Sequence, residues 1–266
     1  MIIHVTQPNI PMLWESAVLE CWEKGDEFKT QYDHPGDPPS KDCTAVLCCP
    51  TPLAEPRLHR IFPSGPKELE EYRREVVEGL HDERVRDGGY NYSYWRRMFL
   101  WPGSDASGDF ILDQVERVLG LLTECPYSRR AQVVLWNPST DLFDEHCPCL
   151  QRLWFRVYED SLRMHVNIRS NCAYKAGFMN MYAFVGLQHY VAQKLSLRLG
   201  REISVGEYLH IADSWHIYGS YIRDDGPEGF KAFLNFVDKH PKVEDRTWRS
   251  DDEVIQAEFA LAEKTR

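Results

Sequence analysis

The feature that most constrains this chain is a block of strand patterns that runs into a long apolar segment. Strands are predicted at 131–136, 150–159 and 162–169, and in the third of these apolar and polar residues alternate, so one face is buried. The segment 180–199 is apolar on too many sides for a surface helix and predicts a buried central helix. Strands and helices mix without regular βαβ alternation or a glycine-rich nucleotide fingerprint, which favours an α+β fold. No linker divides the middle of the chain, and we expect one domain, residues 1–266.

Shorter patterns predict the remaining elements. Apolar residues at helical spacing predict helices at 11–24, 67–79, 110–122, 226–239 and 251–264. The stretch 25–66 is rich in proline and holds one short apolar run at 45–49, which indicates loops around an edge strand. Aromatic residues crowd the connection at 88–101, where they either pack or line a site.

Composition excludes several classes of protein. With 43% hydrophobic and 27% charged residues, the 266-residue chain is typical of soluble globular proteins. Its net charge of −10 repels a polyanion, so we expect no stable nucleic-acid partner, and any phosphate must meet a local basic cluster. No apolar run reaches the roughly 18 residues that span a bilayer, and the first residues carry no basic leader. We therefore expect a cytoplasmic protein with no membrane partner.

The eight cysteines are too sparse for a disulfide scaffold and lack the paired CxxC spacing of a zinc site. We expect reduced thiols and no metal, although His146, Cys147 and Cys149 form a weak metal pattern. One thiol could be a nucleophile. Cys149 is the candidate, because it follows a proline at the opening of a predicted strand; the alternative is a buried structural cysteine.

Two local basic clusters could bind a phosphate. Arg129 and Arg130 follow a serine, and Arg169 precedes Ser170, so each cluster combines guanidinium donors with a hydroxyl. Both clusters lie within about twenty residues of Cys149 and could lower the pKa of its thiol if the fold gathers them. Either pair could equally be a solvated surface.

His216 and Tyr218 have the spacing that places two side chains on the same face of an extended strand. Two such polar rings suit a sugar hydroxyl. The alternative is a buried histidine and tyrosine whose hydrogen bonds are satisfied within the core.

Four motifs together resemble the thymidylate synthase and pyrimidine nucleotide hydroxymethylase superfamily. In chain order they are PYSRR at 126–130, PCLQ at 148–151, RSNCAYKAGFMN at 169–180 and DSWHIY at 213–218. The likeness covers roughly residues 68–221. It implies a thymidylate synthase-like fold, with a mixed sheet and the long buried helix.

The resemblance implies a covalent one-carbon transfer. Cys149 matches the nucleophile that adds to C6 of the pyrimidine, after which C5 attacks the iminium form of 5,10-methylenetetrahydrofolate. Arg129 and Arg130 match a pair that reaches the nucleotide phosphate of a dimer partner, which implies a homodimer. Arg169 and Ser170 match the phosphate ligands within the subunit.

Further roles follow from the same resemblance. Asn180 matches the asparagine that reads the pyrimidine edge, and His216 and Tyr218 match the pair that holds the sugar 3′-hydroxyl. Tyr92 resembles a tyrosine near C5 that assists proton removal. Gln151, which ends the PCLQ motif, belongs with the substrate-binding residues.

The chain departs from the family pattern at several positions. Lys29 is the nearest counterpart of an N-terminal phosphate arginine, and Leu150 replaces the histidine that follows the nucleophile. Cys172 stands where an aspartate contacts the folate ring, which makes it the candidate cofactor-binding residue. The family's tryptophan that shields the exocyclic methylene intermediate has no clear counterpart here. The last residues do not form the apolar tail that caps thymidylate synthase.

The catalytic glutamate is ambiguous between positions on one helix. Glu68, Glu71 and Glu75 lie on one stripe, where a carboxylate could manage water and proton transfer. Glu68 matches the family motif best and Glu75 second.

Two reactions start from the same covalent intermediate. Reduction of the exocyclic methylene by folate hydride gives a methyl group, and attack by water gives a hydroxymethyl group. We expect methylation of dUMP to dTMP, with hydroxymethylation of dUMP, dCMP or CMP as the close alternative. Binding of a nucleotide or an RNA without turnover is the third reading.

Overall fold

The structure, a computed structural model, describes residues 1–105 and 107–265. Its strands are β1 (Ile2–Thr6), β2 (Asp26–Phe28), β3 (Ser40–Cys49), β4 (Leu58–His59), β5 (Trp101–Asp105), β6 (Gly108–Leu112), β7 (Gln132–Val134), β8 (Leu150–Tyr158), β9 (Ser161–Cys172), β10 (Ser204–Ile217) and β11 (Thr247–Trp248). Its α-helices are α1 (Ile10–Lys24), α2 (Gly65–Glu78), α3 (Glu83–Arg86), α4 (Tyr94–Phe99), α5 (Gln114–Glu124), α6 (Ala176–Leu199), α7 (Gly219–Arg223), α8 (Phe230–Lys239), α9 (Val243–Arg246) and α10 (Glu253–Ala262). A 3₁₀ turn covers Asp141–Phe143.

One mixed sheet organises the chain. Its strand order is β1-β3-β10-β9-β8-β7, and β2 pairs with β3. The pairs β1–β3 and β9–β10 are parallel, whereas β3–β10, β8–β9 and β7–β8 are antiparallel. Two short two-stranded pairs, β4–β11 and β5–β6, lie outside it. The predicted α+β class with a mixed sheet is confirmed.

Helix α6 is the long buried helix. Its 24 residues pack against α2, β9 and β10, and more than half of them are buried. Gly177 permits the closest approach, because a Cβ there would come within 2.5 Å of the Trp215 ring. The helix ends at Gly200, which adopts the left-handed conformation that glycine tolerates best. The predicted central helix therefore begins four residues earlier than expected and ends at the predicted place.

The alternation in β9 places one face in the core. Leu162, Met164, Val166 and Ile168 are at most 1% exposed, while the residues between them are half-buried. This face and helix α6 form the centre of the core, as the period of two predicts.

Two element predictions were wrong. The run 45–49 belongs to β3, which lies inside the sheet between β1 and β10 rather than at an edge. The prolines of this region flank the strand and do not interrupt it, so the ladder is intact. The helix expected at 110–122 begins only at Gln114, because Ile111 lies in the β5–β6 hairpin and is 65% exposed.

The sequence patterns also missed β1 and most of β10. Among the described residues, no helix combines the length and the apolar character needed to cross a bilayer.

Candidate active site

A cavity of about 630 Å³ opens between α2, the aromatic connection 89–94, the turn before β8 and the end of β10. Five of the predicted site residues line it: Glu75, Tyr92, Cys149, Arg169 and Tyr218. The fold thus brings the candidate nucleophile, the arginine of one basic cluster and the tyrosine predicted to hold a sugar hydroxyl to one place, although they are far apart in sequence.

Arg169 and Gln151 hold the turn that carries Cys149. The Arg169 guanidinium donates to the carbonyl oxygens of Pro148 at 3.0 Å and Cys147 at 2.8 Å. The Gln151 amide donates to the carbonyl oxygens of Pro148 at 3.0 Å and Cys149 at 3.3 Å. Gln151 does not line the cavity, so in this chain it supports the turn. The proline and these bonds explain why the thiol projects from a fixed backbone.

The electrostatics at Cys149 differ from the sequence expectation. Burial raises the pKa of the Cys149 thiol and the neighbouring Cys147 adds to the effect, whereas Arg169 opposes it. Arg129 and Arg130 are exposed and do not line the cavity, so the described chain gathers one basic cluster at the thiol and not both. The condition for a lowered pKa, that both clusters gather at the thiol, is not met in this chain, and desolvation outweighs the single guanidinium.

Tyrosines form much of the cavity wall. Burial raises the pKa of Tyr92 to about 12, so its hydroxyl is protonated at neutral pH. Burial also raises the pKa of Tyr218 to about 12. Both side chains can therefore donate to a bound group.

The two glutamate candidates have different surroundings. Glu75 lines the cavity, and its carboxylate lies 2.8 Å from Nδ1 of His81, which lines the cavity too. Glu68 lies in the first turn of α2 and is not part of the lining. Glu71 forms an ion pair with Lys67 at 2.9 Å. The geometry therefore favours Glu75 for chemistry in the cavity.

His216 carries an unpartnered buried atom next to the cavity. Its ring packs on Tyr218 with 4.6 Å between centroids, and its Nδ1 lies 3.0 Å from the Ser214 hydroxyl. That hydroxyl donates to Asp42 at 2.6 Å, so the Nδ1–H of His216 must donate to it. Burial lowers the pKa of His216 to about 4, which leaves Nε2 a bare acceptor at neutral pH. This buried Nε2 has no partner among the described residues.

Four other predicted site residues lie outside the lining: Ser170, Asn180, Cys172 and Lys29. Asn180 is buried, and its amide oxygen accepts a 2.7 Å hydrogen bond from Tyr72, which does line the cavity. Burial raises the pKa of Cys172, while the backbone at Lys175 opposes the shift. Lys29 donates to the carbonyl oxygen of Asp37 at 2.7 Å.

Sequence reasoning missed Tyr72 and His81 in the lining, and named Cys147 only in a weak metal pattern. Tyr72 could have been found, because it precedes Glu75 by three residues and so shares its helix face. His81 follows the helix in a left-handed conformation that no periodic pattern reports.

Comparisons with known proteins address the identity of this fold. The thymidylate synthase family model matches residues 64–252. A protein of Methanocaldococcus jannaschii named "Putative thymidylate synthase" is 30% identical over 86% of this chain and 99% of its own length. A protein of Methanosarcina mazei with the same name is 29% identical over 58% of this chain and 66% of its own.

A solved structure shows the same fold. The thermostable thymidylate synthase A of Bacillus subtilis superposes with a TM-score of 0.59 over 80% of this chain and 81% of its own, at 20% identity. With a family match over most of the chain and a relative aligned along nearly its whole length, the resemblance is confirmed, and the chain belongs to the thymidylate synthase family as a divergent member.

Proposed function

We propose that this protein transfers a one-carbon unit from 5,10-methylenetetrahydrofolate to C5 of a pyrimidine nucleoside monophosphate, with dUMP as the substrate and dTMP as the product. One observation carries the proposal: Cys149, Arg169 and Tyr218 line one cavity, beside a buried His216 whose Nε2 lacks a partner. A thiol, a phosphate ligand and a hydroxyl ligand are the groups that a nucleotide substrate requires.

Cys149 supplies the nucleophile. Its sulfur bonds to C6, and the electron pair of the C5–C6 double bond moves toward the C4 carbonyl, which makes C5 nucleophilic. Since burial raises the pKa of the thiol, a base must accept its proton. The Glu75–His81 pair lies in the same cavity and suits that task and the later removal of the C5 proton.

Methylenetetrahydrofolate would supply the one-carbon unit and, for methylation, the hydride. The tyrosines of the cavity offer flat aromatic faces for its ring system, including Tyr32, Tyr90 and Tyr94. Cys172, at the expected folate position, lies outside the lining. The residues present therefore fit a bound pterin through stacking.

Arg169 and the partner's arginines would share the phosphate. The Arg169 guanidinium already donates to two carbonyl oxygens, so only part of its set of N–H donors serves an anion. A homodimer would complete the site with Arg129 and Arg130, which are exposed in the single chain.

The open sheet face supports this dimer. Helix α6 packs on one face, while the other presents the half-buried Trp154 and His165, whose ring centroids are 4.7 Å apart. The Trp154 indole donates to the carbonyl oxygen of Arg129 at 3.0 Å, so the arginine pair begins beside this face. A second chain packed there would receive both arginines.

Hydroxymethylation of dUMP, dCMP or CMP is the second candidate. The Glu75–His81 pair favours it, because a carboxylate bonded to an imidazole can activate a water molecule. Tetrahydrofolate would leave when the exocyclic methylene forms; attack by water would leave it as tetrahydrofolate, whereas hydride transfer would oxidise it to dihydrofolate.

Mass spectrometry of products separates these outcomes. The purified protein is incubated with methylenetetrahydrofolate and, separately, dUMP, dCMP, UMP or CMP. Methylated dUMP with dihydrofolate supports the proposal; a hydroxymethylated nucleotide with tetrahydrofolate supports the second candidate. Cys149→Ser should abolish turnover and retain nucleotide binding, while Cys125→Ser, outside the cavity, is the matched control. No product from any nucleotide would favour binding without turnover.

A further inference from the structure

A chain of buried hydrogen bonds runs from the core under the sheet to the cavity. It links Tyr208, His210, Asn171, Asn180 and Tyr72, and the first four are at most 5% exposed. Tyr208 lies 2.8 Å from Nδ1 of His210, and Nε2 of His210 lies 3.1 Å from Oδ1 of Asn171. Asn180 donates to the same Oδ1 at 3.3 Å, and its own Oδ1 lies 2.7 Å from the Tyr72 hydroxyl.

A backbone carbonyl sets the direction of this chain. The side-chain nitrogen of Asn171 donates to the carbonyl oxygen of Cys172 at 3.2 Å. A carbonyl oxygen can only accept, so the amide of Asn171 must turn its nitrogen toward Cys172 and its oxygen toward Asn180 and His210. Asn180 must then donate to Asn171, which turns its oxygen toward Tyr72.

The Tyr72 hydroxyl is left with one role. Its single proton is donated to Asn180, so toward the cavity its oxygen can only accept. Burial raises the pKa of Tyr72, so the hydroxyl keeps this proton. Asn180 does not line the cavity and Tyr72 does. A ligand in the cavity therefore contacts this series of hydrogen bonds at Tyr72.

We infer that Tyr72 accepts a hydrogen bond from an N–H donor on the pyrimidine edge, and that Asn171 is a positioning residue that fixes this polarity through Asn180. The inference depends on the proposed function, because it assumes a pyrimidine in the cavity. The donor is N3–H of uracil or the exocyclic amine of cytosine. A base edge without such a donor leaves the Tyr72 oxygen unpaired, and its binding is weaker.

Equilibrium binding of nucleotide pairs tests the role of Tyr72 without requiring turnover. One pair is dUMP and 3-methyl-dUMP, which lacks the N3 proton; the other is dCMP and the 2-pyrimidinone deoxynucleotide, which lacks the exocyclic amine. In Tyr72→Phe, the ratio of Kd values within one pair should shrink about tenfold, the worth of one hydrogen bond. The pair that responds identifies the base. Tyr158→Phe, at an exposed tyrosine outside both the cavity and this hydrogen-bond chain, should leave both ratios unchanged.

Variants of Asn171 test the positioning role. Asn171→Leu removes the acceptor for the side-chain nitrogen of Asn180. The Asn180 amide is then free to flip, and the ratio of Kd values within the responding pair should shrink. Asn171→Asp should restore it, since a buried carboxylic acid that keeps its proton donates to Cys172 as the amide did. If Asn171→Leu fails to fold, Tyr72→Phe still carries the test.

The two proposals fail in different ways. If the wild-type protein binds neither dUMP nor dCMP, the proposed function is overturned. If it binds either one and Tyr72→Phe leaves both ratios unchanged, only the role of Tyr72 is overturned.

Discussion

Replacing His210 with glutamine should remove a defined part of the acid sensitivity of folding. His210 is fully buried, and burial lowers its pKa from an ordinary 6.5 to about 3. Between about pH 3 and pH 6.5, His210 binds a proton in the unfolded chain but not in the folded one. Stability is therefore lost as the pH falls below 6.5. Glutamine keeps a donor for Asn171 and an acceptor for Tyr208, and it does not titrate.

The magnitude follows from linkage. With pKa values of about 3 folded and 6.5 unfolded, His210 costs about 2 kcal/mol of stability on going from pH 7.5 to pH 5. Other acid-sensitive groups, His216 among them, contribute equally to wild type and variant and cancel in the difference. As the pH falls from 7.5 to 5, the free energy of unfolding of His210→Gln should therefore rise by about 2 kcal/mol relative to that of the wild type.

Urea unfolding at both pH values, at one protein concentration, measures this difference. His34→Gln, at an exposed position, is the matched control and should show a nearly constant difference. A difference for His210→Gln that does not change with pH would refute the reasoning, because it would mean that the folded protein protonates His210 as readily as the unfolded chain.

Three further predictions concern the site and the core. Since burial raises the pKa of Cys149, its alkylation by iodoacetamide should keep accelerating up to about pH 9, and a plateau below pH 8 would contradict this. Glu75→Gln should lower kcat at least about tenfold with nucleotide affinity nearly unchanged, while Glu68→Gln changes neither; equal losses in both variants would remove Glu75 from the chemistry. Arg246→Ala leaves the carboxylate of Glu15 buried without its bidentate partner and should destabilise the fold by about 3–5 kcal/mol in urea unfolding, whereas a loss below about 1 kcal/mol would show that the carboxylate is solvated.

Elements with a clean period were predictable, and those with polar residues in the core were not. β9 and α6 carry apolar residues at strand and helix spacing, and both lie near their predicted bounds. In β10 the buried positions include Gly206 and His210, so the alternation is not apolar and the strand was missed. Burial of a polar residue depends on partners elsewhere in the chain, which a local pattern does not contain.

The same distinction holds for the site. The order of short motifs indicated that Cys149, Arg169 and Tyr218 act together, and the fold places all three in one cavity. Tyr72 was missed because a tyrosine on a helix is compatible with simple packing. Glu75 and Glu68 lie on the same stripe of the sequence pattern, so the choice between them depends on which end of α2 reaches the cavity, and a periodic pattern does not report that.

If Arg169 binds the phosphate as proposed, its bonds to the turn before β8 couple anion affinity to the chemistry of the Cys149 thiol. A phosphate bound at Arg169 would share one guanidinium with the carbonyl oxygens of Cys147 and Pro148. Any rearrangement that moves the guanidinium also breaks two of the side-chain bonds that hold the backbone at Cys149, and leaves those of Gln151. By thermodynamic reciprocity, a change at the sulfur must alter phosphate affinity by the same factor that phosphate alters the equilibrium at the sulfur. Under the proposed function, an occupied phosphate site would therefore affect the Cys149 thiol without any contact between sulfur and anion.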